Sequence, residues 1–235
     1  MKSLLLLLAL VGSTALAKPR DMVKELNTLG SNQAMAERAK AIDGENKIRV
    51  VQDRIVSRNL RLELGVSYDG VTGGDSYLTT NNVGYNLDFH IIPKLSIGAR
   101  HYSAYSKLTS EGDRVFSEHA ARRAAGDFNS LRPDVDYPLS STLGTITFYP
   151  LYGKLNFFNL GVTQFDVYVL GAYGRMELSS GSSPTWAAGG GLGIWWAKHL
   201  SSRLEFRHQR YEDQIYTGKR EQATTAFSFG IGLLI

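Results

Sequence analysis

Residues 107–140 contain the side chains best suited to chemistry at a surface. Ser117, His119 and Asp127 bring a hydroxyl, an imidazole and a carboxylate, the groups that nucleophilic attack on an ester requires. At the outer rim of a membrane protein, such a set could act on lipid. Their spacing matches no catalytic arrangement, so we predict no catalytic residues and a protein that is not an enzyme.

The chain offers little to a metal or a cofactor. Its five histidines show neither HxH nor HExxH spacing, and it has no cysteine. Gly189–Gly193 resembles a phosphate-binding loop in composition, but no lysine of the Walker type follows it. Arg122, Arg123 and Arg132 could bind phosphates of a surface glycolipid, although solvated loop charges explain them more simply. We therefore predict no cofactor and no metal.

Charged residues also recur at alternate positions of segments that otherwise have the pattern of strands. Buried charges persist when they are paired and hydrogen-bonded, and an eight-stranded barrel is just wide enough to be filled by side chains. Gly189, Gly191 and Gly193 would leave room for long arginines opposite them. We predict a plugged lumen whose charge network consists of Arg61, Glu63, Asp88, Arg100, Asp166, Arg203, Glu205 and Arg207.

Aromatic residues cluster towards both ends of the same segments. Membrane interfaces favour two such belts. In a soluble sandwich or lipocalin-like barrel, the alternative, these residues would fill a core and glycines would line the outer face, which is a poor surface for solvent. We predict that the aromatic residues on the outer face include Trp186, Trp195, Trp196, Tyr149 and Tyr152.

From Leu60 onward the apolar residues recur with a period of two, which predicts strands. Near the C-terminus, Phe229 and Ile231 alternate with Ser228 and Gly230. The sequence predicts an all-β fold, an eight-stranded antiparallel transmembrane β-barrel with a partly helical N-terminal periplasmic extension. The predicted strands lie near residues 60–68, 83–91, 95–105, 141–155, 165–173, 186–196, 204–206 and 225–235.

The predicted connections alternate in length. Those after strands two, four and six are short, whereas those after strands one, three, five and seven are longer or more polar. Bacterial barrels have short periplasmic turns and long external loops, so the first strand would begin and the last strand would finish on the periplasmic side. The loop at 107–140 exceeds the usual limit of ~15 residues, which makes it the best candidate for external contacts.

The first residues predict export. The apolar run from Leu4 to Val11 follows Lys2, and Ala15–Ala17 matches a cleavage site, so residues 1–17 form a predicted signal peptide that is cleaved after Ala17. That run is shorter than the ~20 residues of a membrane-spanning helix. We expect delivery to the outer membrane.

Residues 18–58 differ from the rest of the chain. Met22, Leu26 and Leu29 form a narrow apolar stripe at helical spacing. The stripe could bind a periplasmic partner, could pair with a second copy of the chain, or could lie against the mouth of the barrel. The predicted domains are the signal peptide 1–17, the periplasmic helical extension 18–58 and the outer-membrane barrel 59–235.

The overall charge is mild. Lys and Arg number 26 against 22 Asp and Glu, for a net charge of +4, so no nucleic-acid partner is predicted. The chain has 24 glycines, 12 tyrosines and only 6 prolines, which suits strands that face lipid outside and a polar lumen inside.

Four short segments carry a family resemblance. Asn46–Gln52, Leu60–Gly65, Pro150–Leu155 and Phe165–Tyr168 resemble a family of small outer-membrane β-barrel domain proteins of predatory and social Gram-negative bacteria. The resemblance covers about residues 46–235. It implies fold and location and brings no catalytic residues. The chain ends in Ile235, whereas outer-membrane barrels commonly end in an aromatic residue that the assembly machinery recognises.

These patterns favour a structural or interaction role over a reaction. We predict an integral outer-membrane barrel, plugged by paired charges, whose partners are outer-membrane lipid, the outer-membrane assembly machinery and, through residues 18–58, a periplasmic protein or a second copy. Three alternatives remain at this point: a narrow pore for small solutes or ions, a lipid-modifying enzyme, and a soluble periplasmic protein.

Overall fold

The computed structural model describes residues 56–129, 133–156 and 162–235. The predicted signal peptide and most of the predicted extension, residues 18–55, lie outside them. One helix, α1, lies between the third and fourth strands and spans Ser110–Ala124. The strands are β1 (Arg61–Gly73), β2 (Leu78–Ile92), β3 (Leu95–Leu108), β4 (Pro138–Asn156), β5 (Val162–Leu178), β6 (Gly181–Trp195), β7 (Leu200–Ile215) and β8 (Gly218–Leu234).

The eight strands form one closed antiparallel barrel in chain order, which confirms the predicted eight-stranded antiparallel barrel. The barrel closes where β1 pairs with β8, in a register that sets Gly65 opposite Gly232 and Ser67 opposite Gly230. Closure leaves no free sheet edge, so the main-chain hydrogen bonds of each strand are made within the protein.

Side chains alternate between the two faces of the wall. On β8, Phe229 and Ile231 are 54% and 50% exposed, whereas Ser228 between them is buried. The apolar outer positions of this strand run from Phe227 to Ile235, about 27 Å along the strand at ~3.4 Å per residue. With a tilt of ~40° this spans roughly 21 Å along the barrel axis, close to the ~25 Å apolar band of outer-membrane barrels.

We call the end of the barrel that carries α1 the helix end, and the end where β1 begins and β8 finishes the base. At the helix end, most of the connections that were predicted to be long are short. Residues 179–180 alone join β5 to β6, and residues 216–217 alone join β7 to β8. The turns use Gly181 and Gly218, with φ of 147° and 125°, a region that favours glycine. Of these connections, only the one between β3 and β4 is long.

The strands instead continue past the apolar band. The outer positions near the helix end of β5 and β7 carry charged side chains, including Arg175, Glu177, Arg210 and Glu212. The period-two apolar signal stops where lipid would stop, although the hydrogen-bonded pairing goes on. Sequence periodicity therefore underestimated the strands at this end.

Much of the long connection folds as α1. Thr109 caps the helix, because its side chain accepts a hydrogen bond from the amide of Gly112. Exposed ion pairs join Arg114 to Glu111 and to Glu118 at 2.5 and 3.2 Å. The hydrogen bond from Arg114 lowers the pKa of Glu111. No helix in the described part of the chain has the length and apolar content needed to cross a membrane.

Candidate functional site: the charged interior of the barrel

At the base, the interior is filled by a side chain from outside the strands. Arg58 is buried, and its Nη1 donates to Oδ2 of Asp166 at 3.0 Å. Its Nη2 donates to the carbonyl of Pro93 at 3.0 Å. The guanidinium also lies over the ring of Tyr149, 4.1 Å from its centroid, a favourable cation–π geometry. Trp195 completes the group, because its Nε1 donates to the same Asp166 oxygen at 2.6 Å.

The next layer centres on Glu63. Arg203 holds this carboxylate with two hydrogen bonds, from Nε to Oε1 at 3.0 Å and from Nη2 to Oε2 at 2.5 Å. Ser201 donates to Oε1 at 2.9 Å, and Nε2 of His90 lies 2.9 Å from Oε2. The three partner residues come from β2 and β7, so the carboxylate on β1 is neutralised and tied across the interior.

The middle layer centres on Glu205. Nη1 of Arg100 lies 2.8 Å from both carboxylate oxygens. The Tyr168 hydroxyl donates to Oε2 at 3.0 Å. Arg207 contributes a further ion pair to Oε1 at 3.2 Å. The carboxylate thus has three donors from three strands, as a buried charge requires.

Arg207 links the middle layer to the helix end. Its Nη2 donates to Oδ2 of Asp69 at 2.9 Å, and its Nη1 donates to the hydroxyl of Tyr102. The guanidinium also stacks over the Tyr102 ring, 4.0 Å from the centroid. Both the charge and the face of the guanidinium are therefore used, which suits arginine better than lysine.

The structure places the predicted network residues unequally. Glu63, Arg203, Arg100, Glu205 and Arg207 meet in the ion pairs above, and Asp166 meets Arg58. The remaining two predicted residues, Asp88 and Arg61, take no part in these ion pairs. Residues that take part but were not predicted are Arg58, Asp69, His90, Tyr102, Tyr149, Tyr168 and Trp195.

Asp88 is buried but has no ion pair among the described residues. Its Oδ2 accepts from Asn86 at 3.4 Å, and its Oδ1 has no hydrogen-bond partner. Arg61, by contrast, lies at the base rim. It donates to the carbonyl of Ser57 at 3.2 Å and contacts Nδ1 of His199 at 3.0 Å. Arg61 is the first residue of β1 and forms no ion pair with the other predicted network residues in the described part of the chain.

The glycines of β6 make room for side chains: a Cβ atom on Gly189 would lie 3.3 Å from Cβ of Arg207, as expected, whereas the other two glycines adjoin side chains that were not expected. A Cβ atom on Gly191 would lie 2.6 Å from the hydroxyl oxygen of Tyr168, and one on Gly193 would lie 2.6 Å from Oδ1 of Asp166. Both neighbours belong to β5, the adjacent strand. A larger residue at either glycine would displace the side chains that hold Glu205 and Arg58.

Two of the predicted interface aromatics lie inside the barrel, which corrects that prediction. Tyr149 and Trp195 are both 0% exposed and contact the buried charges. Strand parity explains the result. Tyr149 follows Phe148, which lies outside, and Trp195 lies two positions after Gly193, which lies inside, so both side chains point inward. Trp186 is exposed, as predicted.

The other two interface aromatics are half-buried. The indole of Trp196 donates to Oγ of Ser202 at 2.9 Å. The Tyr152 hydroxyl contacts Gln164, which is buried. Neither side chain is freely exposed on the outer face.

A tethered loop forms the rim of the helix end. Asp136, just before β4, accepts hydrogen bonds from Oγ of Ser179 at 2.8 Å, from the amide and Oγ of Ser180 at 3.0 and 2.5 Å, and from the amide of Gln214 at 3.1 Å. Burial raises the pKa of Asp136, but these hydrogen bonds outweigh it, so the pKa lies below its ordinary value of 3.8. The ionised carboxylate therefore holds together three segments of the rim.

The residues considered for catalysis do not come together. Ser117 and His119 are two positions apart on α1, so they lie on different faces of the helix. The Ser117 hydroxyl donates to the carbonyl of Arg114 at 2.8 Å. Asp127 accepts from the amide of Asn129 at 3.1 Å. Within the described ranges, no group of three or more His, Asp or Glu side chains is arranged to hold a metal ion.

The fold and the interior together define a closed eight-stranded barrel with apolar side chains outside and paired charges inside. No protein-family model matches the sequence, and no curated protein matches it. The chain is similar to solved structures at low identity. One is neisserial surface protein A (NspA), with 9% identity over 73% of this chain and 96% of that chain and a TM-score of 0.42.

Two other solved structures show the same degree of likeness. The N-terminal β-barrel domain of Pseudomonas aeruginosa OprF is 9% identical, over 75% of this chain and 98% of that chain, with a TM-score of 0.38. A structure from the de novo design of transmembrane β-barrels is 11% identical, over 77% of this chain and 100% of that chain, with a TM-score of 0.38.

Proposed function

We propose that this chain is an integral outer-membrane β-barrel with a structural or interaction role, whose lumen is closed by paired charges. The observation that carries the proposal is the reversed distribution of its side chains. Large apolar residues such as Leu87, Ile146, Val169 and Phe229 are exposed on the outer face of different strands, whereas ionised side chains occupy the interior.

This exterior suits lipid rather than water. Surface patches of water-soluble monomers seldom exceed a few hundred Å² of contiguous apolar area. Here the exposed apolar positions continue around the barrel, from Leu64 and Val66 on β1 to Leu204 on β7 and Leu233 on β8. A closed barrel is one of the two architectures that satisfy every main-chain polar group within a bilayer.

The interior is organised to be closed rather than conducting. Three layers cross the lumen, centred on Asp166, Glu63 and Glu205, and each carboxylate is held by an arginine. Arg58 inserts at the base, and Tyr149 packs beneath its guanidinium. In the described interior these carboxylates and arginines are bound to one another, which supports a closed lumen rather than a path for ions.

The orientation follows from the long connection. The helix end, with α1, faces the exterior, and the base faces the periplasm. The outer-membrane location, export with cleavage after Ala17 and binding through residues 18–58 belong to this proposal. The proposal also includes membership in the family of small outer-membrane β-barrel domain proteins of predatory and social Gram-negative bacteria.

Gel migration of the membrane fraction tests the barrel. Samples kept at room temperature in detergent should migrate differently from boiled samples, because a folded barrel resists detergent until it is heated. A single band position under both conditions, or recovery of the protein in the aqueous periplasmic fraction, would contradict the proposal.

A narrow pore is the second candidate, and one observation favours it. The interior holds two recesses, of about 620 and 370 Å³, and both are bounded by Tyr102. Movement of that side chain could connect them. Planar bilayers distinguish the two functions: the plugged barrel predicts no steady conductance, and conductance that changes in Arg100→Ala or Arg203→Ala would establish the pore.

A further inference from the structure

The interior opens at the helix end into a recess of about 620 Å³, part of it open to solvent, which we call the upper cavity. It lies beyond the ion-pair layers, with Tyr102 as its floor. Its walls include Met176, Tyr211 and the carboxylates of Asp75 and Asp213.

The charge of the upper cavity is not balanced. Asp75, Asp136 and Asp213 line it, and none of its described lining residues is a lysine, an arginine or a histidine. Arg220, outside the lining, pairs with Asp75 at 2.7 Å and with Asp213 at 2.6 Å. Asp136 is held by neutral donors only. Three carboxylates against one guanidinium leave two negative charges, and low-dielectric walls concentrate their field.

Two polar side chains reach into the upper cavity without a partner. Tyr211 is only 7% exposed, and its hydroxyl makes no hydrogen bond among the described residues. A Cβ atom on Gly74 would lie 3.8 Å from this hydroxyl oxygen, so the group points across the cavity to the opposite wall. Oδ1 of Asn82 is buried and also lacks a partner. A buried oxygen such as Oδ1 of Asn82 is costly unless something donates to it.

We propose that the upper cavity binds a small organic cation, a primary ammonium group carried on an aromatic or short aliphatic body. The ammonium N–H groups donate to the oxygens of Tyr211 and Asn82, and the surplus carboxylate charge neutralises the cation. The body packs against the Tyr102 ring and Met176, where an aromatic face and a thioether favour such contacts. The upper cavity is negatively charged when no ligand is bound, so it excludes anions of the same size.

Calorimetric titration of the full chain in detergent micelles at low salt tests this site. Benzylammonium is the probe, and benzyl alcohol and benzoate match it in size but differ in charge. We expect benzylammonium to bind with one site per chain and the other two to give no measurable heat of binding. Binding should weaken as salt is added, because added ions screen the carboxylates.

Variants locate the binding. Tyr211→Phe removes only an unpartnered hydroxyl, so it should leave folding intact and raise the Kd of benzylammonium about tenfold. Tyr173→Phe, on the exposed outer face, is the matched control and should leave the Kd unchanged. Ala104→Phe fills the cavity and should abolish binding. Equal binding of all three probes, no binding of benzylammonium, or an unchanged Kd in both cavity variants would overturn the proposal.

Discussion

Glu63 on β1 and Arg203 on β7 form a bidentate ion pair across the strand that separates them, with an Nε–Oε1 distance of 3.0 Å and an Nη2–Oε2 distance of 2.5 Å. The strand between them is β8, the last strand in the chain, which closes the barrel by pairing with β1. The pair therefore ties together the two neighbours of the closing strand from inside the lumen.

Removal of one partner should destabilise the barrel. Glu63→Gln leaves the guanidinium of Arg203 buried without a full counter-charge, and an unpaired buried charge costs about 3–5 kcal/mol. We expect the free energy of unfolding to fall by roughly that amount. Urea titration of the barrel refolded into lipid vesicles measures it.

The control for this ion pair is an exposed one. Glu118→Gln removes a partner of Arg114 and Arg122 on α1, where solvent screens the charges. Its effect should stay below about 1 kcal/mol. The double variant Glu63→Gln with Arg203→Met should recover part of the lost stability. Equal effects of Glu63→Gln and Glu118→Gln would contradict a buried pair.

Lipid contact predicts a depth-dependent cost of charge on the outer face. Ile231 is half exposed near the middle of the apolar outer positions of β8, so Ile231→Arg should destabilise the barrel by about 2–4 kcal/mol. Ala223 is an exposed outer position near the helix end of the same strand, and Ala223→Arg should cost about 0–1 kcal/mol. Unfolding in vesicles measures both. Similar costs at the two positions would mean that both face the same environment, which would contradict lipid contact at Ile231.

The rim should respond to acid through Asp136. Its pKa is below the ordinary value of 3.8, because hydrogen bonds from Ser180, Gln214 and Ser179 outweigh the effect of burial. The stability that it contributes is therefore fully present above that ordinary value and is lost as the pH falls through the lowered pKa.

The variant Asp136→Asn isolates this contribution. The difference in unfolding free energy between the unsubstituted chain and the variant should be constant at neutral and mildly acid pH and should shrink as the pH falls below 3.8. Asp127→Asn, in the exposed loop after α1, is the matched control for loss of a carboxylate outside the rim. A difference that grows on acidification would have the wrong sign for the hydrogen-bonded carboxylate.

The orientation of the barrel predicts which end can be labelled on cells. The chain has no cysteine, so single cysteines report one place each. Ala121→Cys on α1 should react with a membrane-impermeant maleimide on intact Gram-negative cells. Lys94→Cys, in the exposed β2–β3 turn at the base, should react only after the outer membrane is permeabilised. The reverse pattern would invert the proposed orientation.

Much of the fold could be predicted because lipid outside and charge inside impose a period of two. That period set Leu87 outside and Asp88 inside, as the structure has them. It also should have placed Tyr149 and Trp195 inside, and the prediction failed where residue type was given more weight than parity. The strand ends at Leu178 and Ile215 were missed because the outer face there carries charges, so the apolar signal had already stopped.

The contacts inside the barrel could not be predicted in the same way. Which arginine meets which carboxylate depends on the register and stagger of all eight strands, and Glu63 and Arg203 are 140 positions apart. Arg58 precedes the first strand, so no strand pattern indicates that its side chain enters the lumen. Tyr168 holds Glu205 only because Gly191 on the neighbouring strand leaves space for its ring.

Spin labels on one strand test the two environments of the wall most directly. Ser228→Cys and Phe229→Cys are adjacent on β8, where Ser228 is buried and Phe229 is 54% exposed. In lipid vesicles, the label at position 229 should collide often with dissolved oxygen and rarely with a water-soluble nickel complex, as measured by its relaxation rate. The label at 228 should show little access to oxygen. Equal oxygen access at both positions would contradict a barrel that faces lipid outside and encloses its charges.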